Sequence, residues 1–263
     1  MNSNKILCSI LAVLFLTSCA SAGAKVQLDT IGSIKTPYVF DVIGDTRDND
    51  ADYGRLVDRM VKDNPAVVFN VGDLTPLPCV GTDEFKRRSS AIKVPYLFAP
   101  GNHDIGLDNG ACYLKWSGQP GLYYNFAIGR LSFIVLNSEN LNETQIQWLK
   151  NTLTRDDNKK VVCFHRPLYA SKLNNHLIDT MRQPLHELFK ANHVAVVFQG
   201  HDHLYNQETV DGISYIVTGG GGAPLRRGGF YHYVRVTVKD ALGIEVVDID
   251  GRIKFIYNIP MEG

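Results

Sequence analysis

The chain has 263 residues, with 27 Lys and Arg balanced by 27 Asp and Glu. Its 44% hydrophobic and 21% charged residues exclude a disordered chain, a collagen-like fibre and a multi-span membrane protein. Zero net charge argues against a chain that works mainly by gripping nucleic-acid phosphates, so no nucleic-acid-binding surface is expected.

At the N-terminus, Lys5 precedes an apolar run from Ile6 to Leu16. The run is shorter than the ~20 residues of a spanning helix and has the size of a secretory signal core. Leu16-Thr17-Ser18-Cys19 follows directly and resembles a bacterial lipobox, in which the Cys is lipidated. A plain signal peptide cut at Ala20-Ser21-Ala22 is the alternative. The lipobox reading makes residues 1–18 a signal peptide, 19–36 a tether, 37–258 the working domain and 259–263 a tail. It places the protein in a bacterial cell envelope, membrane-anchored through lipid on Cys19 and facing the periplasm or exterior. Cys79 and Cys112 both lie in loops, and in an oxidising compartment they either pair as a disulfide or stay free. Cys163 lies in an apolar run and reads as buried packing.

Tyr38–Ile43 reads as a strand ending in Gly44-Asp45, followed by a helix with Tyr53, Leu56, Val57 and Met60 on one face. Pro65 ends that helix, and Ala66–Val71 is a strand running into Gly72-Asp73. A short helix around 83–92 leads to the strand Tyr96–Phe98 and Gly101-Asn102-His103-Asp104. Leu122–Ala127 and Leu131–Leu136 read as a hairpin, and Asn142–Leu153 as an amphipathic helix. The strand Lys160–Phe164 ends in His165. A helix over 178–190 then precedes Val194–Phe198 and Gly200-His201-Asp202-His203. Strands at Ile213–Val217, Tyr231–Val238, Ile244–Asp248 and Ile253–Tyr257 complete the chain. The pattern indicates one α/β domain with more than one sheet. His176, His186, His193 and His232 read as surface or structural residues.

Five strand ends therefore carry carboxylate, amide or imidazole groups, and ligands of open α/β sheets bind beyond the carboxyl ends of strands. Asp45, Asp73, Asn102, His165, His201 and His203 form a mixed oxygen and nitrogen set without thiolate. Such a set suits Mn, Fe or Zn, and six ligands exceed what one tetrahedral ion needs.

In this order the motifs resemble those of the calcineurin-like metallophosphoesterases over about residues 37–258. Tyr124-Asn125-Phe126, Gln147-Trp148-Leu149, His165-Arg166-Pro167 and Tyr215–Gly222 resemble the branch related to purple acid phosphatases. The resemblance implies mixed sheets in a four-layer αββα sandwich. It implies two divalent or trivalent ions bridged by Asp73. Asn102, His165 and His201 complete one site, and Asp45 and His203 the other. His103 becomes the acid beside the leaving oxygen, oriented by Asp104. A hydroxide shared by the ions would attack a phosphate monoester or diester. The alternatives are a nucleotide or pyrophosphate hydrolase on the same site, or a non-catalytic metal-binding surface lipoprotein. A monomer acting on small-molecule phosphoesters is expected.

The sequence departs from the family pattern at Arg47, where a metal-binding His is usual, and at Pro76, where the purple acid phosphatase alternative has a Tyr. Arg47 cannot ligate a metal; it either clamps phosphate or pairs with Asp48 or Asp50. Tyr205 is either a wall of the substrate pocket or packing. The glycine run Gly219–Gly222 lacks the Lys-Ser/Thr ending of a phosphate loop and reads as a close-approach loop, with Arg226 and Arg227 beyond it.

Overall fold

The computed structural model describes Leu28, residues 31–170 and residues 176–261. The expected signal segment over 1–18 and Cys19 lie outside the described residues. In chain order the first half forms β1 (Tyr38–Ile43), α1 (Asp50–Asp63), β2 (Val67–Asn70), α2 (Thr82–Ser89), β3 (Tyr96–Phe98), α3 (Ala111–Ser117), β4 (Tyr124–Ile128) and β5 (Leu131–Val135). The second half forms α4 (Glu143–Leu153), β6 (Lys159–Cys163), α5 (His176–Asp179), α6 (Arg182–Lys190), β7 (Val194–Gln199), β8 (Tyr205–Val210), β9 (Ile213–Thr218), β10 (His232–Val238), β11 (Ala241–Asp248) and β12 (Ile253–Pro260).

The described strands make two six-stranded sheets, ordered β12-β11-β10-β1-β2-β3 and β4-β5-β6-β7-β9-β8. β1, β2 and β3 run parallel in the first, and β5, β6, β7 and β9 in the second. Helical crossovers are what parallel neighbours require, and they lie on the outer faces. Tyr53, Leu56, Val57 and Met60 of α1 pack with Phe85 of α2 and Tyr113 of α3 over the first sheet. Leu149 and Leu153 of α4 and Leu185 and Phe189 of α6 cover the second. The inner faces meet through aromatic rings, with Phe133 5.3 Å from Phe40 and 5.2 Å from Phe69. The result is a four-layer αββα sandwich of mixed sheets.

Several sequence expectations change. The expected tether over 19–36 does not extend through its last residues, because Ile31 is fully buried in the inter-sheet core with Leu28 and Ile34 packed beside it. The tail is not free either, since Ile259 and Met261 are core residues. The helix over 178–190 is split into α5 and α6. Pro184 lacks an N–H and is tolerated only in a first turn, so α6 starts at Arg182. The segment 105–121 contains α3. β8 was not foreseen: as an edge strand reading Tyr-Asn-Gln-Glu-Thr-Val it lacks an apolar alternation. It turns into β9 through Asp211-Gly212, both at positive φ, the turn that favours a tight hairpin.

Among the described residues no helix is long and apolar enough to cross a membrane.

Candidate metal centre

Asp45, Asp73 and Asn102 follow the ends of β1, β2 and β3. His165, His201 and His203 follow those of β6 and β7. Because the sheets face each other, these ends meet at one edge of the sandwich. Backbone hydrogen bonds lock the strand exits together, Asp45 N to Gly72 O at 2.9 Å and Gly200 N to His165 O at 2.9 Å. The glycines permit this closeness. A Cβ on Gly200 would stand 2.6 Å from Asp45 Oδ2, and one on Gly72, at φ +104°, would stand 2.7 Å from His165 Nδ1.

Two clusters share Asp73. In one, Asn102 Oδ1 lies 3.2 Å from His165 Nε2 and 3.0 Å from His201 Nδ1, and the two imidazole nitrogens are 3.2 Å apart. Asp73 Oδ1 stands 3.3 Å from His165 Nε2. His165 Nδ1 meets the Val71 carbonyl at 3.0 Å; a carbonyl only accepts, so Nδ1 carries hydrogen and Nε2 presents its lone pair. In the other cluster, ligand atoms of Asp45, Asp73 and His203 lie within 4.8 Å of one another. His203 Nδ1 is tied to the Pro224 carbonyl at 2.8 Å, which turns the Nε2 lone pair toward Asp45 Oδ1 at 3.4 Å. Asp45 Oδ1 is buried and has no hydrogen-bond partner. Lone pairs converging without enough donors are the signature of a cation site, and this oxygen and nitrogen set fits Mn, Fe or Zn.

Burial pulls the His201 imidazole down to about 3, with the positive His165 and Arg166 adding to the effect, so His201 stays neutral as a ligand must. Burial works against the charged forms of Asp73 and His165, yet their mutual attraction outweighs it. Asp73 is held well below the usual carboxylate range and His165 is pushed up to about 10. A proton and an ion compete for the same His165 nitrogen, so ion binding releases that proton.

His103 lies at the rim, its side chain 28% exposed, with Nε2 3.9 Å from Asp73 Oδ2. Its Nδ1 donates to the Pro76 carbonyl at 2.6 Å. Asp104 does not orient it, contrary to the sequence expectation. The Asp104 carboxylate instead accepts from Asp73 N at 2.8 Å, Leu74 N at 3.0 Å and Gly101 N at 2.8 Å, which shapes the loops of two strand exits. Burial and then the Asp73 charge push its carboxyl up to about 8, against those donors. Pro76, where the purple acid phosphatase pattern has a Tyr, thus acts through its backbone oxygen.

Cys79 and Cys112 form a disulfide with Cα atoms 6.2 Å apart. It ties the Pro76 loop to α3, downstream of His103. Cys79→Ser opens a closure of 33 residues and lowers stability by about 3–4 kcal/mol on the chain-entropy scale. Thermal unfolding with and without reductant checks this, and identical midpoints would contradict it. Cys163 is buried and free.

Arg47 pairs with Asp48, as one sequence alternative has it, and also reaches two of the ligand residues. Its Nη1 pairs with Asp48, while Nε lies 3.5 Å from Asp73 Oδ2 and Nη2 3.4 Å from His203 Nε2. Tyr205 is not brought to the ligands. Its ring stacks on Phe255 at 4.9 Å and its hydroxyl meets that of Tyr257 at 3.0 Å, so it packs an aromatic cluster against the core. The run Gly219–Gly222 is buried behind the Asp45 loop, where a Cβ on Gly222 would meet the Thr46 carbonyl at 2.8 Å. His186 is structural, held by Tyr215 and Asp211.

Sequence reading gave no role to Arg166, which stands 3.3 Å from His201 Nε2 and is fixed by Glu139 at 2.9 Å. Its position directly after His165 at a strand end was the available signal. Asn70 was also missed. Buried beneath the site, it bonds Thr46 at 3.1 Å, Tyr96 at 3.3 Å and the Gly72 N–H at 3.1 Å.

A family model described as calcineurin-like phosphoesterase matches residues 38–205. Purple acid phosphatase 23 of Arabidopsis thaliana is 28% identical over 249 residues, covering 74% of this chain and 50% of that protein. The mouse (Mus musculus) serine/threonine-protein phosphatase CPPED1 is 27% identical over 228 residues, covering 74% of this chain and 68% of that protein. The purple acid phosphatase PPD1 from yellow lupin (Lupinus luteus) seeds superposes with a TM-score of 0.70 at 18% identity, over 86% of this chain and 54% of that one, a likeness of fold. The chain spans about half the length of the plant purple acid phosphatases it matches.

Proposed function

The chain belongs to the calcineurin-like phosphoesterase family, and on that premise we propose that it hydrolyses phosphate esters at the edge where the two sheets meet. The observation that carries this reading is the convergence of six oxygen and nitrogen ligands from five strand ends. Asp73 is the shared ligand. Asn102, His165 and His201 would hold one ion with it, and Asp45 and His203 the other. Two such ions, when bound, supply a water of lowered pKa and neutralise charge on the phosphoryl oxygens.

The remaining steps belong to the protein's own groups. Arg47 and Arg166 flank the two clusters, and their fixed positive charge would favour an anionic phosphoryl group held between them. Water attacks phosphorus on the face opposite the leaving oxygen. His103, fixed through Nδ1, gives a proton from Nε2 to that oxygen as its bond to phosphorus breaks.

Purified protein incubated with p-nitrophenyl phosphate and bis-p-nitrophenyl phosphate, with Mn, Fe or Zn added singly, tests the reading. Turnover that chelator abolishes and metal restores is expected. No turnover with any metal or ester would favour a metal-binding platform instead.

We also propose that the protein acts in a bacterial envelope, anchored by lipid on Cys19. The motif Leu16-Thr17-Ser18-Cys19 motivates this. Labelled palmitate should appear on the wild-type chain and not on Cys19→Ser, and label on both would end the idea.

A further inference from the structure

The residue that breaks the family pattern is aimed at the ligands of one cluster. Arg47 follows Asp45 by two positions, on a loop pinned by Ala223 N to Asp45 O at 2.8 Å and Asn49 N to Arg47 O at 3.0 Å. Its side chain is only 13% exposed. Besides pairing with Asp48 through Nη1, the guanidinium contacts Asp73 Oδ2 at 3.5 Å and His203 Nε2 at 3.4 Å. Both belong to the Asp45–Asp73–His203 cluster. Asp73 turns its other oxygen, Oδ1, away to the His103 N–H at 2.9 Å and to His165. With His203 Nδ1 committed to Pro224, Nε2 has one lone pair, and Arg47 Nη2 faces it. A guanidinium is always charged and cannot ligate a metal, so here it competes for an ion's place rather than assisting it. Among the described residues, the Asn102–His165–His201 cluster has no guanidinium on the ligand atoms that face one another. Arg166 contacts His201 at Nε2, on the far side of the ring from the nitrogen that faces Asn102.

We propose that Arg47 is a built-in competitor for the ion at Asp45, Asp73 and His203, so that the two metal sites differ sharply in affinity. The inference rests on the family reading of the metal centre above. The Asn102–His165–His201–Asp73 site keeps its ion. At the other site an ion enters only as Arg47 swings off Asp73 and His203, and Asp48, already paired with Nη1, holds the displaced guanidinium at the rim. The second loading step then depends on metal concentration, which makes occupancy adjustable by supply.

The test is metal content together with calorimetric titration, neither of which needs turnover. Protein loaded with Mn²⁺ and dialysed against metal-free buffer should retain one ion per chain. Arg47→His, which restores an imidazole, and Arg47→Met, which removes the charge, should both retain two. Titration of stripped wild-type protein should show two phases whose dissociation constants lie far apart. Arg47→Met should tighten the weaker phase by about 10–100-fold, the range for changing a group beside metal ligands. Arg47→Lys, which keeps the charge, should leave the weaker phase weak. Two ions retained by wild-type protein, or a weaker phase unmoved in Arg47→Met, would overturn the inference while leaving the metal centre in place. Should the variants unfold, the wild-type titration alone decides, since a single tight two-ion phase contradicts the proposal. Absence of any bound ion in wild type and variants alike would overturn it together with the family reading.

Discussion

Replacing His103 by alanine lowers kcat by about 10²–10⁴-fold, the usual contribution of a general acid, and leaves metal content at the wild-type level. The separation of the two effects follows from geometry. His103 Nδ1 is committed to the Pro76 carbonyl at 2.6 Å, and its Nε2 stays 3.9 Å from Asp73 Oδ2, beside the ligand set rather than within it. What ties His103 to the metal centre is its backbone, whose N–H donates to Asp73 Oδ1 at 2.9 Å, and alanine preserves that bond. The loss should be largest for alkyl phosphates, whose leaving oxygen needs a proton, and smaller for p-nitrophenyl esters, whose phenolate leaves unaided. Steady-state kinetics on both ester types, with metal analysis of the same preparations, checks this. An equal rate for wild type and variant on alkyl esters would remove His103 from the mechanism.

Asp73→Asn should act in the opposite way, with metal content and turnover falling together. The Asp73 carboxylate is nine-tenths or more buried, and it faces His165 at 3.3 Å through Oδ1 and Arg47 at 3.5 Å through Oδ2. Taking away one partner of a buried charge pair costs about 3–5 kcal/mol, because the other is left uncompensated. Loss of the anionic oxygen that both clusters share should also weaken metal binding, by at least about 10–100-fold. The amide keeps one oxygen for the His103 N–H, so the loop itself should survive, and the circular dichroism spectrum should match wild type. A folded Asp73→Asn protein that binds metal in the same amount and as tightly as wild type would contradict the bridging role.

The disulfide and His103 are linked through the same loop. Cys79 lies three residues beyond Pro76, and Cys112 anchors it to α3. Loosening that loop frees the carbonyl that fixes the His103 ring.

Much of this was legible in the sequence by itself. Strands of the parallel type read as short apolar runs, and four of them here lead into Gly followed by a ligand-type residue, at Gly44-Asp45, Gly72-Asp73, Gly101-Asn102 and Gly200-His201, while a fifth passes from Phe164 directly to His165. Both signals are local, carried by residue type and spacing, so an α/β domain with more than one sheet and six converging side chains were readable from the sequence, and the family resemblance supplied the two-sheet sandwich. The tertiary structure decided what depends on backbone atoms and on contacts distant along the chain. No residue type announces that the Pro76 carbonyl holds His103, or that Asp104 spends its oxygens on the N–H groups of Asp73, Leu74 and Gly101 rather than on the neighbouring imidazole. Glu139 gains its meaning only by standing beside Arg166, 27 residues away in sequence. β8 stayed hidden because an edge strand buries too little to show a period. Arg47 shows the division most plainly. Its charge was readable as a break in a ligand motif, but whether it turned to Asp48 or into the centre depended on where the ends of β2 and β7 lay. Those ends bring Asp73 and His203 within reach of one guanidinium, because packing two sheets face to face places residues 26 and 156 positions apart from Arg47 at the same edge.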